Sequence, residues 1–172
     1  METAKRIIIN LLLIILFFVL QTTLFPMLKI TRIIPNILII LVSCTGFMQG
    51  DRAGLFVGFA CGLLLDVCSF EVFGFYSILY MLIGYLNGFF HNLFYLKDLK
   101  IPAIMITLSD IVCCFFTYFF LFLMRSRFNI GYYVVNIILP EVVFTLLVAV
   151  ILYPLLWVIE AYVFKKKTAE SS

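Results

Sequence analysis

Two carboxyls stand inside long apolar runs of this 172-residue chain: Asp110, nine residues after Ile101, and Glu141, nine after Tyr132. On helices, each would lie about 13–14 Å in from the start of its run. Runs entering from opposite faces of a membrane would therefore bring the two acids to one level. Thr107, Cys114 and Thr117 share the face of Asp110, and Asn136 and Thr145 that of Glu141. Lys and Arg are absent at that depth, so the carboxyls must keep their protons or be held by hydrogen bonds from Asn, Thr or backbone. Asp110, Asn136 and Glu141 thus form an expected intramembrane polar cluster. Two readings are open: a substrate or proton site, and a polar clasp between helices.

Other chemistry is sparse. His91 is the single histidine, on a stripe with Tyr80, Gly84 and Asn87 at offsets that share one helical face. The cysteines (Cys44, Cys61, Cys68, Cys113 and Cys114) are odd in number, lie in or beside apolar runs and lack metal-ligand spacing with a histidine. They read as packing residues, and no metal or cofactor is expected. A Ser/His/Asp set, a nucleophile elbow and a phosphate loop are all missing. The chain reads as a non-enzyme.

The elements that position these residues must sit in lipid. Hydrophobic residues make up 65% of the chain and charged residues 12%, against about 45–50% and 25% in soluble domains. The basic residues cluster between apolar stretches, at Lys5/Arg6, Lys29/Arg32, Lys97/Lys100, Arg125/Arg127 and Lys165–Lys167. That pattern flanks membrane spans and meets lipid headgroups; it argues against nucleic acid. The apolar run from Ile7 leads into Gln21-Thr22-Thr23 without a small-x-small cleavage site, so it is expected to be a retained span.

Hydropathy predicts an all-α, polytopic transmembrane helix bundle of about six spans, at residues 7–25, 33–48, 53–68, 72–94, 101–124 and 132–164. These form one domain, 1–164, followed by a basic and polar cytoplasmic tail, 165–172. Spans two and three are short and joined by a tight turn at Gln49-Gly50-Asp51-Arg52. Span six is expected to break or kink at Pro140 and Pro154. Six spans place both termini on one side, and the distribution of basic residues makes that side cytoplasmic.

Glycine supplies the strongest pattern. Gly46, Gly50, Gly54, Gly58 and Gly62 recur every four residues, and Gly84 and Gly88 repeat the spacing on the fourth span. In lipid such strips let helix backbones approach closely. They serve either the chain's own packing or the docking of a partner helix; Gly54, Gly58 and Gly62 would do the docking. Arg52 and Asp66 are expected as span-end anchors, Asp66 with the option of capping a helix end.

The order of these features resembles the rod shape-determining protein MreD family. The resemblance runs through Pro35-Asn36 and the apolar residues 37–42, Gly50-Asp51-Arg52-Ala53-Gly54, the run from Gly58 to Leu65-Asp66, Phe73-Gly74, and Leu82-Ile83-Gly84-Tyr85-Leu86. Asn36 stands where the family usually has an acid, and Ser69-Phe70-Glu71-Val72 replaces its usual turn. The resemblance implies a multi-pass protein of the bacterial inner (cytoplasmic) membrane that maintains cell shape as a scaffold for peptidoglycan synthesis. It implies association with a bitopic MreC-like protein and, through it, with MreB filaments, RodA and a class B penicillin-binding protein. The six-helix fold is also similar to that of the S components of energy-coupling-factor transporters. This implies an alternative: a small-molecule-binding subunit of a vitamin transporter, using Asp110, Asn136 and Glu141.

Overall fold

A computed structural model describes residues 2–24, 35–68, 73–93, 100–125 and 134–164. Among them are six α-helices and no strand: α1 (Glu2–Val19), α2 (Ile37–Gln49), α3 (Asp51–Cys68), α4 (Phe75–Phe89), α5 (Lys100–Arg125) and α6 (Leu139–Phe164). A π-helical turn, Leu20–Leu24, extends α1, a 3-10 turn, Phe90–Leu93, extends α4, and a π-helical turn, Val134–Ile138, leads into α6. The all-α bundle predicted from hydropathy is the fold observed. The tail 165–172 and the basic residues at 29, 32, 97 and 127 lie outside the described residues.

Three stretches are long and apolar enough to cross a membrane: Arg6–Thr23, Ile101–Phe120 and Leu139–Ala161. With 13 and 15 residues, α2 and α4 extend only about 20 and 23 Å, against a hydrocarbon core of about 30 Å. Local chemistry sets these limits. Gly50, at a φ of 97°, ends α2 after Gln49 and lets α3 start at the next residue; a side chain there would be strained. Pro102 occupies the first turn of α5, where a missing N–H costs little. Pro140, where a break or kink was expected, stands where the π-helical turn gives way to α6, and α6 runs on past Pro154 to Phe164.

Helix directions follow from cross-helix contacts. Asn10 faces Gln49 and Gln21 faces Leu38, so α1 and α2 are antiparallel. Asn36 with Tyr80, Ser43 with Asn87 and Phe47 with His91 are all 44 residues apart, so α2 and α4 are parallel. Thr145 at Asn36 and Glu160 at Gln49 make α6 parallel to α2 as well. Directions alternate along the chain, and α1 begins and α6 ends at the end of the bundle marked by Gly50.

At the centre stands α2. Every residue from Pro35 to Phe47 is buried, Ser43 and Thr45 included. A helix apolar on all sides is one surrounded on all sides, and α1, α3, α4, α5 and α6 all touch it. The outer helices send side chains such as Ile8, Phe56, Ile104 and Ile151 outward, each more than 60% exposed, as a lipid-facing shell requires.

The seam between α3 and α4 is backbone on backbone. A Cβ on Gly54 would run into the carbonyl of Gly84, one on Gly58 into that of Tyr80, one on Gly62 into that of Tyr76, and one on Gly88 into the main chain of Asp51. Gly46 of α2 joins the same node, its Cβ position 2.8 Å from the Gly84 oxygen. The strip is thus occupied within the chain. Gly54, Gly58 and Gly62 hold α4 and are closed to a helix from another protein, which removes the docking role expected of them. Hydrophobic attraction between helices is lost in lipid, so this dispersion contact is the source of cohesion. Gly58→Leu should destabilise the detergent-solubilised protein by at least about 1–3 kcal/mol, the range for overpacking. Phe59→Leu, on the outward face of the same helix, should leave thermal unfolding nearly unchanged.

Candidate functional site

The N-terminus of α2 opens inside the bundle. Pro35 and Asn36 are buried, and backbone donors at a helix start have no intrahelical acceptor. In hydrocarbon each unmet donor costs several kcal/mol. Here three are met. The Asn36 amide donates to Thr145 Oγ1 of α6 (3.2 Å), that of Ile37 to the Pro35 carbonyl (3.0 Å), and that of Leu38 to Gln21 Oε1 in the turn after α1 (2.9 Å). The Asn36 side chain is turned to other work. It accepts from the Tyr80 hydroxyl (2.7 Å) and donates to Cys113 Sγ (3.8 Å). An ionised acid at this position could not donate the second bond.

Beside this knot lies the acidic pair. Asp110 is fully buried, and among the described residues neither of its oxygens has a hydrogen-bond partner. One ligand atom each from Asp110, Cys114 and Glu141 fall within 4.8 Å of one another. Asp110 and Cys114 are one turn apart on α5, and Glu141 comes from the first turn of α6. The expected meeting of the two acids is therefore present. Asn136 sits in the π-helical turn before α6 and is exposed. The cysteines were read as packing residues, and Cys114 is the exception that joins the carboxyls.

Other polar groups tie the bundle at separate levels. The two N–H groups of Asn87 Nδ2 are shared among Ser109 Oγ of α5 (2.8 Å), the Ile83 carbonyl of its own helix (2.9 Å) and, more weakly, Ser43 Oγ of α2 (3.3 Å). At the Gly50 end, Gln49 and Asn10 exchange two hydrogen bonds (2.9 and 3.1 Å), and Gln49 also donates to Glu160 (3.0 Å). His91 donates through Nδ1 to the Phe47 carbonyl. Arg52 is exposed at the start of α3.

Asp66 caps a neighbouring helix. Gly74, the residue before α4, has no side chain to offer and stands at a φ of 99°. Across the seam, the buried Asp66 carboxylate accepts from the amides of Tyr76 and Ser77 (2.9 Å each) and from the Ser77 hydroxyl. A negative charge on the first turn of α4 also meets the positive end of its dipole. The side chain lies in the protein, away from the lipid surface where an anchor would stand.

The family described as rod shape-determining protein MreD matches residues 1–163. The chain belongs to that family. No curated protein and no solved structure matches it. Membership of the MreD family brings a role in rod-shape determination, as a membrane protein acting with other proteins. The match also spans α5 and α6, where the residues quoted for the resemblance had run out.

Two substitutions check the buried contacts. Asp66→Ala should lower stability in detergent by about 1–2 kcal/mol, the usual cost of a lost cap, while Asp66→Asn, which keeps one acceptor oxygen, should lose less. Asn87→Ala removes hydrogen bonds worth about 0.6 kcal/mol each in membrane proteins; a melting temperature unchanged by that substitution would show that the three-helix tie carries no weight.

Proposed function

We propose that this chain is a membrane scaffold of the bacterial elongation complex, holding cell shape by binding a bitopic MreC-like protein. Through that partner it would organise MreB filaments, RodA and a class B penicillin-binding protein around peptidoglycan synthesis. The family match over residues 1–163 carries this reading. The same reading makes the chain multi-pass in the inner membrane, with the Gly50 end cytoplasmic. Arg6, Arg52 and Lys100 belong to that end, in keeping with the preference of basic residues for the inner face. Arg52, exposed there, is the proposed headgroup anchor.

Because α4 fills the glycine strip, the partner's surface lies elsewhere. A groove of about 430 Å³ runs between α1 and α3, walled by Ile7, Leu11, Ile14 and Phe56 and floored by Ala53 and Ala60. Arg6, Asn10 and Gln49 close it toward the Gly50 end. Small residues on the floor permit close approach of one more helix, and the polar end gives it a register. This is the proposed seat of the MreC-like span.

Depletion of the chain should turn rods into rounded cells, without creating a nutrient requirement. Ala60→Trp, which fills the groove, should reproduce that phenotype at normal protein level and abolish copurification of the MreC-like protein. Rods that persist through depletion would overturn the scaffold; intact copurification with Ala60→Trp would overturn the groove. Copurified ATPases and a bound vitamin would identify a transporter subunit in its place.

A further inference from the structure

We infer that Asp110, Cys114 and Glu141 form a binding site for a zinc-class divalent cation between α5 and α6. The site is separate from the groove and does not depend on the scaffold reading.

Three observations support it. The potential ligand atoms of the three residues already lie within 4.8 Å of one another. Around a four-coordinate zinc, metal–oxygen and metal–sulfur distances of about 2.0–2.3 Å put ligands roughly 3.5 Å apart, a change within reach of side-chain rotation. Second, the Asp110 carboxylate is fully buried and both of its oxygens are unpartnered. Buried acceptors are seldom left so. The Thr145 hydroxyl acts on Asp110 from nearby, but it accepts from the Asn36 amide and makes no hydrogen bond of normal geometry to the carboxylate. Third, charge balance favours a dication. Among the described residues, no Lys, Arg or His side chain acts on Asp110 or Glu141. The nearby N-terminus of α2 offers only about half a positive charge, too little for two carboxylates and a thiolate; a dication offsets most of the rest.

The donor set selects the metal class. One sulfur and two carboxylate oxygens suit zinc and its neighbours, whereas calcium and magnesium ask for six or more oxygens. Coordination displaces the Cys114 proton to solvent, leaving sulfur as thiolate. Glu141 is only partly buried, and three protein ligands leave a fourth position of a tetrahedral ion open.

The test uses the full-length protein in detergent, stripped with chelator and titrated with Co²⁺, then competed with Zn²⁺. Wild type should take up one equivalent, with a near-ultraviolet sulfur-to-cobalt charge-transfer band that zinc abolishes. Cys114→Ser should lose the band, and Asp110→Asn and Glu141→Gln should weaken binding roughly tenfold or more. Cys68→Ser, an exposed cysteine away from the group, should behave as wild type. Zinc should raise the unfolding temperature of wild type and leave that of Cys114→Ser unmoved; this nearly isosteric change keeps the test valid if the acid variants fold poorly. A wild type lacking the charge-transfer band, or a band that survives Cys114→Ser, overturns the site.

Discussion

A helix that starts inside hydrocarbon must find acceptors for its first amides, and α2 starts there. Water cannot reach Pro35 and Asn36, so the acceptors come from the turn after α1 and from α6, as Gln21 and Thr145. Those two contacts set where α1 and α6 stand along the axis of α2. The side chain of Asn36, freed from capping, then reaches Tyr80 and Cys113 and sets α4 and α5 at the same level. One short helix end thus fixes the height of four neighbours. Apolar packing around Ile37–Phe47 fills the space between them without specifying it.

Much of this was legible in the residues, and the parts that were not share a cause. Gly50 between two apolar runs marks a joint because no helix carries a glycine and a charged pair there without purpose. The depth of Asp110 and Glu141 could be counted from helix rise alone, and they do meet. The four-residue glycine repeat told which face of α3 is bare of side chains. It could not tell what lies against that face, since periodicity describes one helix at a time. Gln21 and Thr145 were invisible as caps because their acceptor role belongs to amides 17 and 109 residues away. Pro35-Asn36 inside apolar sequence was the available sign of an internal helix start. The turn that holds Asn136 is π-helical, a geometry that α-helical spacing does not foretell.

Family membership and the buried polar groups speak to different things. The role in rod shape comes with the whole chain and needs surfaces on which other proteins can rest. The polar levels, by contrast, are turned inward. Asn87 with Ser43 and Ser109, Asp66 with Ser77, and Gln49 with Asn10 and Glu160 all bind the chain to itself. Asp110 is the exception, a buried acid with no hydrogen-bond partner of normal geometry among the described residues.

The α3–α4 seam also limits how the molecule can deform. Carbonyls nest where glycine leaves room, at Gly54, Gly58 and Gly62 on one side and Gly84 and Gly88 on the other. A slide along the seam meets a steric wall until the next nest, four residues or about 6 Å on. Small loads therefore move the two helices together as a stiff plate, with α2 held to it at Gly46 and through Asn36, Ser43 and Phe47. Relative motion, if forced, comes as a single click of fixed stroke.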